Sequence, residues 1–221
     1  MRAIRLTATV LAVALLLPIF ASATATPVAA SSRSCTGWTS RLKPPETIRV
    51  LRRTGQVVEV RFRAYVARVM VSGEWPDWLP YGTLEAGAFA AKQYGWYYAL
   101  EGNHRYGYVK DGKCYDVKDS TIDQMYAHFG KPTRRQKDAR DAMWDLSLRR
   151  ESGDGHKRFI LTGYRSYGSS SVCAADAHGW KLYASSSQDC GDRGWSGRKI
   201  LRRYYGEWRV SFRVAAGEGT R

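Results

Sequence analysis

The run from Thr83 to Leu100 constrains the fold more than any other stretch. It reads as one long helix with Thr83 as its cap, and it carries Ala86, Gly87, Ala88, Ala90 and Ala91 along its length. Small side chains let a neighbouring backbone or ring approach closely, so this helix is expected to lie at the centre and to be buried.

Shorter segments arrange themselves around it. Ile48 to Phe62 alternates apolar and polar residues, with Thr54 and Gly55 at a bend, and predicts a hairpin. From Arg63 the period becomes helical through Tyr65, Val66, Val69 and Met70, ending at Gly73 just before Glu74, Trp75 and Pro76. Residues 102–117 read as a loop and hairpin, and Asp119 to Thr121 as the cap of a short helix through Tyr126 and Phe129. Lys131 to Arg135 reads as a basic turn, and Asp138 to Trp144 as a helix. Ser147 to Arg150 and Phe159 to Tyr164 read as strands around a Ser152-Gly153-Asp154-Gly155 turn. Ile200 to Tyr205 reads as the last helix and Trp208 to Val214 as the last strand. Helices and strands alternate without a regular β-α-β period, which predicts an α+β fold. The expected form is a single compact domain with a central buried helix, hairpins and a C-terminal helix-strand unit.

The first residues carry an export signature: Arg2 and Arg5, an apolar run from Val10 to Leu17, then Pro18 and the small residues Ala21, Ser22 and Ala23. Pro18 and the polar residues after it interrupt the run before it could span a bilayer, which takes about 20 apolar residues. The expected organisation is a signal peptide over 1–23, a loosely structured lead-in over 24–44, the domain over 45–215 and a tail over 216–221. The protein is then secreted or wall-associated after cleavage.

Four cysteines, Cys35, Cys114, Cys173 and Cys190, follow the signal region. An even count in an oxidising compartment favours two disulfides, and three pairings are open. Cys173 with Cys190 and Cys35 with Cys114 is favoured, because the first pair brackets one Gly/Ser-rich loop. A zinc site lacks any C-x-x-C pair, and His104, His128, His156 and His178 are scattered, so no metal and no cofactor are expected.

The formal net charge is +15, which implies an anionic partner. For an exported chain the nearest are anionic wall polymers, phosphate-rich polymers or lipid head groups, and no nucleic acid is expected. There are 8 Trp and 14 Tyr, whose flat faces suit sugar rings when they are not core.

Glu74 is the first candidate for chemistry. It lies between a helix and Pro76, with Trp75 and Trp78 beside it, and an apolar setting raises a carboxyl pKa. A carboxyl kept protonated near neutral pH can act as a general acid on a glycosidic oxygen.

Four blocks, in order, resemble the stage II sporulation protein D family, the SpoIID/LytB domain. The first is Tyr65-Val66 to Met70, leading to Gly73-Glu74-Trp75-Pro76-Asp77-Trp78. The second is Thr83-Leu84-Glu85-Ala86-Gly87-Ala88-Phe89-Ala90-Ala91-Lys92-Gln93-Tyr94. The third is Asp116 to Tyr126, and the fourth is Ser187-Gln188 with Gly197 to Gly206. The resemblance spans about residues 45–212. It implies work on peptidoglycan, either as a lytic transglycosylase or in stimulating a wall amidase. The family's motif glutamate falls on Glu74 and its helix arginine on Lys92. The resemblance thus implies Glu74 as acid and base and Lys92 as a binding residue; substrate contacts are also expected from Trp75, Trp78, Ser187 and Gln188. Three positions depart from the pattern: Gly87 for glutamine, Gln93 for threonine and Trp75 for methionine. The family's G-H-G-x-G-M-S-Q run is reduced to His178-Gly179 and Ser185 to Gln188. A wall-binding protein that positions a hydrolase without cutting glycan is the alternative, and an adhesin-like or nucleic-acid-binding secreted protein has charge alone in its favour.

Overall fold

The computed structural model describes residues 35–103, 109–206 and 209–221. The signal peptide over 1–23, the first part of the lead-in, the middle of the 102–117 loop and Trp208 lie outside the described residues. What is described is an α+β fold, with small sheets gathered around one helix.

That helix is α2 (Tyr81–Ala99), in which every residue from Ala86 to Trp96 is buried. It begins two residues earlier than expected. Pro80 takes the N-cap position, and its carbonyl accepts from the Thr83 and Leu84 amides at 2.9 and 3.0 Å. Thr83 is not the cap; its hydroxyl donates to the Ser187 carbonyl at 2.7 Å. The small residues serve close approach, as at Gly95, where an added Cβ would stand 3.1 Å from Phe62 and 3.2 Å from Tyr65. Those two aromatics come from α1 (Phe62–Val69), which is therefore seated against α2.

The predicted hairpin is β1 (Thr47–Leu51) and β2 (Val57–Arg61), paired antiparallel from Thr47 with Arg61 to Leu51 with Val57. Gly55, at φ 84°, supplies the left-handed turn residue. Phe62 leaves the strand and opens α1. The minor strands β3 (Val109–Lys110) and β4 (Lys113–Cys114) form a second hairpin, and β5 (Val117–Lys118) pairs parallel with β1. No helix forms over 119–129. Asp119 and Asp123 accept from the Tyr126 and Lys118 amides, both at 2.9 Å, and these side-chain bonds hold the backbone in turns instead.

The next helix, α3 (Arg134–Ala142), starts four residues before the expected Asp138, because Thr133 and Gln136 form a capping box. A second sheet orders β10 (Val210–Val214), β6 (Leu146–Glu151) and β7 (Lys157–Phe159), all antiparallel. Tyr164 does not continue β7; it belongs to β8 (Gly163–Arg165), parallel to β9 (Lys181–Tyr183). After β9 come α4 (Ala184–Asp192), which periodicity does not reveal, and α5 (Gly197–Tyr205).

The lead-in and tail are corrected where they are described. Cys35 is bridged to Cys114, and Trp38 is 5% exposed, pairs with Leu100 and donates from Nε1 to the Lys43 carbonyl at 2.7 Å. At the other end, the Thr39 and Thr220 backbones meet at 3.0 Å, and Arg221 pairs with Asp116 at 2.9 Å. A few anchors fix stretches whose overall composition is loop-like. The second bridge is Cys173–Cys190, so both favoured pairings form. Two disulfides are consistent with an extracellular location.

Lys92 is in the core, 1% exposed, and is not placed to touch a substrate. Its Nζ donates to the carbonyls of Met143, Trp144 and Leu146 at 2.7, 2.8 and 2.5 Å. Burial pushes its pKa well below the usual range, opposed by Asp145. Three acceptors need three hydrogens, which only the ammonium form supplies. Its neighbour Gln93 donates to the Leu148 and Ile160 carbonyls at 2.9 Å each and accepts from the Leu148 amide at 2.6 Å. Lys92→Met should therefore cost about 3 kcal/mol or more, since it orphans three carbonyls between the end of α3 and the start of β6. Denaturant unfolding measures this, and an unchanged midpoint would refute the role.

Candidate functional site

Helix α1 runs into a π-helical turn, Met70–Glu74, in which Gly73 takes φ 103°. The Trp75 amide closes the turn on the Met70 carbonyl at 3.3 Å. The left-handed glycine bends the chain out of the helix and sets Glu74 at the bend. Beyond it, the strap to α2 is tied to α3: Gln136 donates to the Trp75 carbonyl at 2.9 Å and Arg135 to the Leu79 carbonyl at 2.8 Å.

Trp75 faces inward and is 0% exposed. Its ring covers Gly87, where an added Cβ would stand 2.2 Å from the indole, and it tilts against Tyr164 with centroids 5.7 Å apart. The two departures at 75 and 87 thus form one packing unit, with the glycine vacating the space that the tryptophan fills.

Glu74 is half-buried, and its Oε2 atom is enclosed without a hydrogen-bond partner. Burial raises its pKa from the usual 4.5 to about 7, against the opposing pull of Tyr164, the Met125 backbone and Arg165. Tyr164 is aimed by a chain of buried hydrogen bonds. Tyr65 donates to Gln124 Oε1 at 2.7 Å, so the Gln124 amide nitrogen must donate, and it does so to Tyr164 Oη at 2.8 Å and to the Ala91 carbonyl at 3.0 Å. With its oxygen accepting from Gln124, Tyr164 keeps its own hydrogen free to donate, and its phenol lies near enough to Glu74 to pull that carboxyl's pKa down. The arrangement is a carboxyl that is half protonated near neutral pH, held at one side by a fixed phenol.

The other expected contacts divide. Trp78 is 67% exposed and Gln188 is half-buried on α4. Ser187 is buried, with its hydroxyl turned back to the Ala184 carbonyl at 3.0 Å. Trp75, Lys92 and Ser187 are therefore core residues rather than substrate contacts, because each faces the interior between α2 and its neighbours. Sequence reasoning missed Tyr164, Gln124 and Arg165. Gln124 lies inside the Asp116 to Tyr126 block, which was its one available signal; Tyr164 and Arg165 lie outside every block.

A cavity of about 130 Å³ opens beside this network, lined by Tyr94, Asp123, Tyr164, Arg165 and Lys181 among others. A larger one, about 710 Å³, lies between residues 43–47, Arg61, Arg63 and Trp144 and contains no member of the Glu74 network. Size alone favours the larger; the smaller is lined by Tyr164 and Arg165 of the network, while Glu74 lines neither. Among the described residues no group of three His, Cys, Asp or Glu could hold a metal ion, and no helix is long and apolar enough to cross a membrane. No protein-family model matches the chain, and no curated protein matches it.

Two measurements follow from this geometry. Gly87→Ala should cost about 1–3 kcal/mol by overpacking against the indole, and the cost should shrink in a Trp75→Leu background. Equal costs in both backgrounds would disprove the coupling. The Glu74 carboxyl ionises later in the folded chain than in the unfolded one. Its penalty to stability is absent below pH 4.5, grows as pH rises to about 7 and is constant above. Glu74→Gln should accordingly be more stable than wild type at pH 8 by about 1–3 kcal/mol, with the difference closing toward pH 4. A gap independent of pH would contradict it.

Proposed function

We propose that this is an exported protein acting on peptidoglycan, as a glycan-strand cleaving enzyme of the lytic transglycosylase type with Glu74 as its single acid and base. The observation that carries the reading is the half-buried Glu74 carboxyl at the end of the π-helical turn, with one oxygen enclosed and its pKa raised by burial to about 7. Support comes also from the ordered resemblance to the SpoIID/LytB family and from the export signature. The protein's partners are then the glycan strands of the wall.

Chemically, one such group is enough. The protonated carboxyl gives its proton to the glycosidic oxygen as the bond from the muramoyl C1 breaks. The carboxylate then takes the proton of that sugar's 6-hydroxyl, whose oxygen bonds to C1 and closes an anhydro ring. No second carboxylate is needed because the substrate supplies its own nucleophile. Tyr164 favours the carboxylate that forms in the first step, and burial favours its return to the acid.

The second reading is a wall-binding protein that stimulates an amidase. It is favoured by the inward placement of Trp75, Lys92 and Ser187 and by the 130 Å³ cavity, small against the roughly 300–1,000 Å³ of most ligand pockets. One experiment separates the two. Mature protein and Glu74→Gln are incubated with purified glycan strands, with and without stem peptides. The enzyme should give anhydromuramoyl ends, the variant none, and the yield should fall as pH rises through about 7. Absence of anhydro ends from the wild type on both substrates would leave the second reading.

A further inference from the structure

Outside the Glu74 network, the outer face of α5 carries a cluster of exposed cations, Arg198, Lys199 and Arg202, with Arg203 beside them, while Ile200, Leu201, Tyr204 and Tyr205 on the other side are buried. Three of these cations are set against rings. Arg198 and Arg202 lie over Phe212 of β10, 5.9 and 5.8 Å from its centroid, and Lys199 Nζ lies 4.0 Å from the Trp195 centroid. Among the described residues, none of the three is in an ion pair. At the start of α5, the Glu85 carboxylate accepts from the Gly197 amide at 2.9 Å.

Folding accounts for only part of this arrangement: Arg202 in the last turn of α5 complements the helix dipole, but Arg198 and Lys199 occupy the first turn, where positive charge opposes it. The rings restrict where the cations sit without cancelling their charge. A pre-positioned, unneutralised row of donors on a rigid helix suits repeated anionic groups along a chain.

We infer that the α5 face binds a polymer with phosphodiester groups in its backbone, of the kind carried by a cell wall. Nucleic acid shares that backbone chemistry, but its single strands are held by bases stacking on open aromatic faces, and here Phe212 and Trp195 are already covered by cations. The source of the polymer rests on the exported, wall-associated reading; the binding itself does not involve Glu74.

The test measures binding of the mature chain to poly(glycerol phosphate), and to single-stranded DNA of matched phosphate number, over a range of salt. The polymer should bind more tightly than the DNA. The triple variant Arg198→Gln, Lys199→Gln, Arg202→Gln should bind it about tenfold more weakly, with a salt slope shallower by about two. Its thermal unfolding should match wild type, since all three side chains are exposed. Glu74→Gln should bind the polymer as wild type does, so loss of cleavage and loss of this binding are read separately. Unchanged affinity and slope in the triple variant, or tighter binding of the DNA, would overturn the inference.

Discussion

The fold depends on one buried ammonium group. Lys92 stands in the middle of α2 and closes the end of α3 by giving its three hydrogens to the carbonyls of Met143, Trp144 and Leu146. A charge so deep in the interior is tolerated because its hydrogens all have acceptors and Asp145 lies near. Gln93, the next residue, binds both the amide and the carbonyl of Leu148. Between them, two adjacent polar side chains fix the sheet of β6, β7 and β10 to a helix that is otherwise apolar and small. Packing alone would leave that helix free to slide and turn; directed hydrogen bonds set its register.

The candidate site inherits that register. Ala91, one residue before Lys92, offers the carbonyl that orients Gln124, and Gln124 orients Tyr164 toward Glu74. Gly87, one turn earlier, makes room for the indole of Trp75, whose burial helps to exclude water from the carboxyl beside it. The raised pKa of Glu74 is thus a product of the α2 sequence as much as of its own loop.

What could be read from the sequence was local. The long helix shows in its run of small residues, and the β1–β2 hairpin in its alternation and Gly55. The disulfide pairing followed from the loop that Cys173 and Cys190 enclose. Glu74 as a perturbed carboxyl was legible from Trp75 and Pro76 beside it. The direction in which a polar side chain points was not legible. Lys92 and Ser187 are ordinary surface residue types, and the small residues that mark α2 as central do not say that its lysine turns inward. The β8–β9 pair and its Tyr164 were missed because three-residue strands lack a period to detect, and their partners lie 18 positions apart. At 119–129 the capping signals were real, but the aspartates spend their oxygens on turns.

The meeting of Thr39 with Thr220, and of Arg221 with Asp116, has a consequence for opening rather than for folding. Local opening usually begins where a segment has few contacts. Here residues 38–40 and 219–221 brace one another, and Cys35 ties the same corner covalently to Cys114. Neither segment can peel away without breaking contacts that hold the other, so amide exchange at Thr39 and Thr220 should proceed as one event. The two segments therefore open together or not at all.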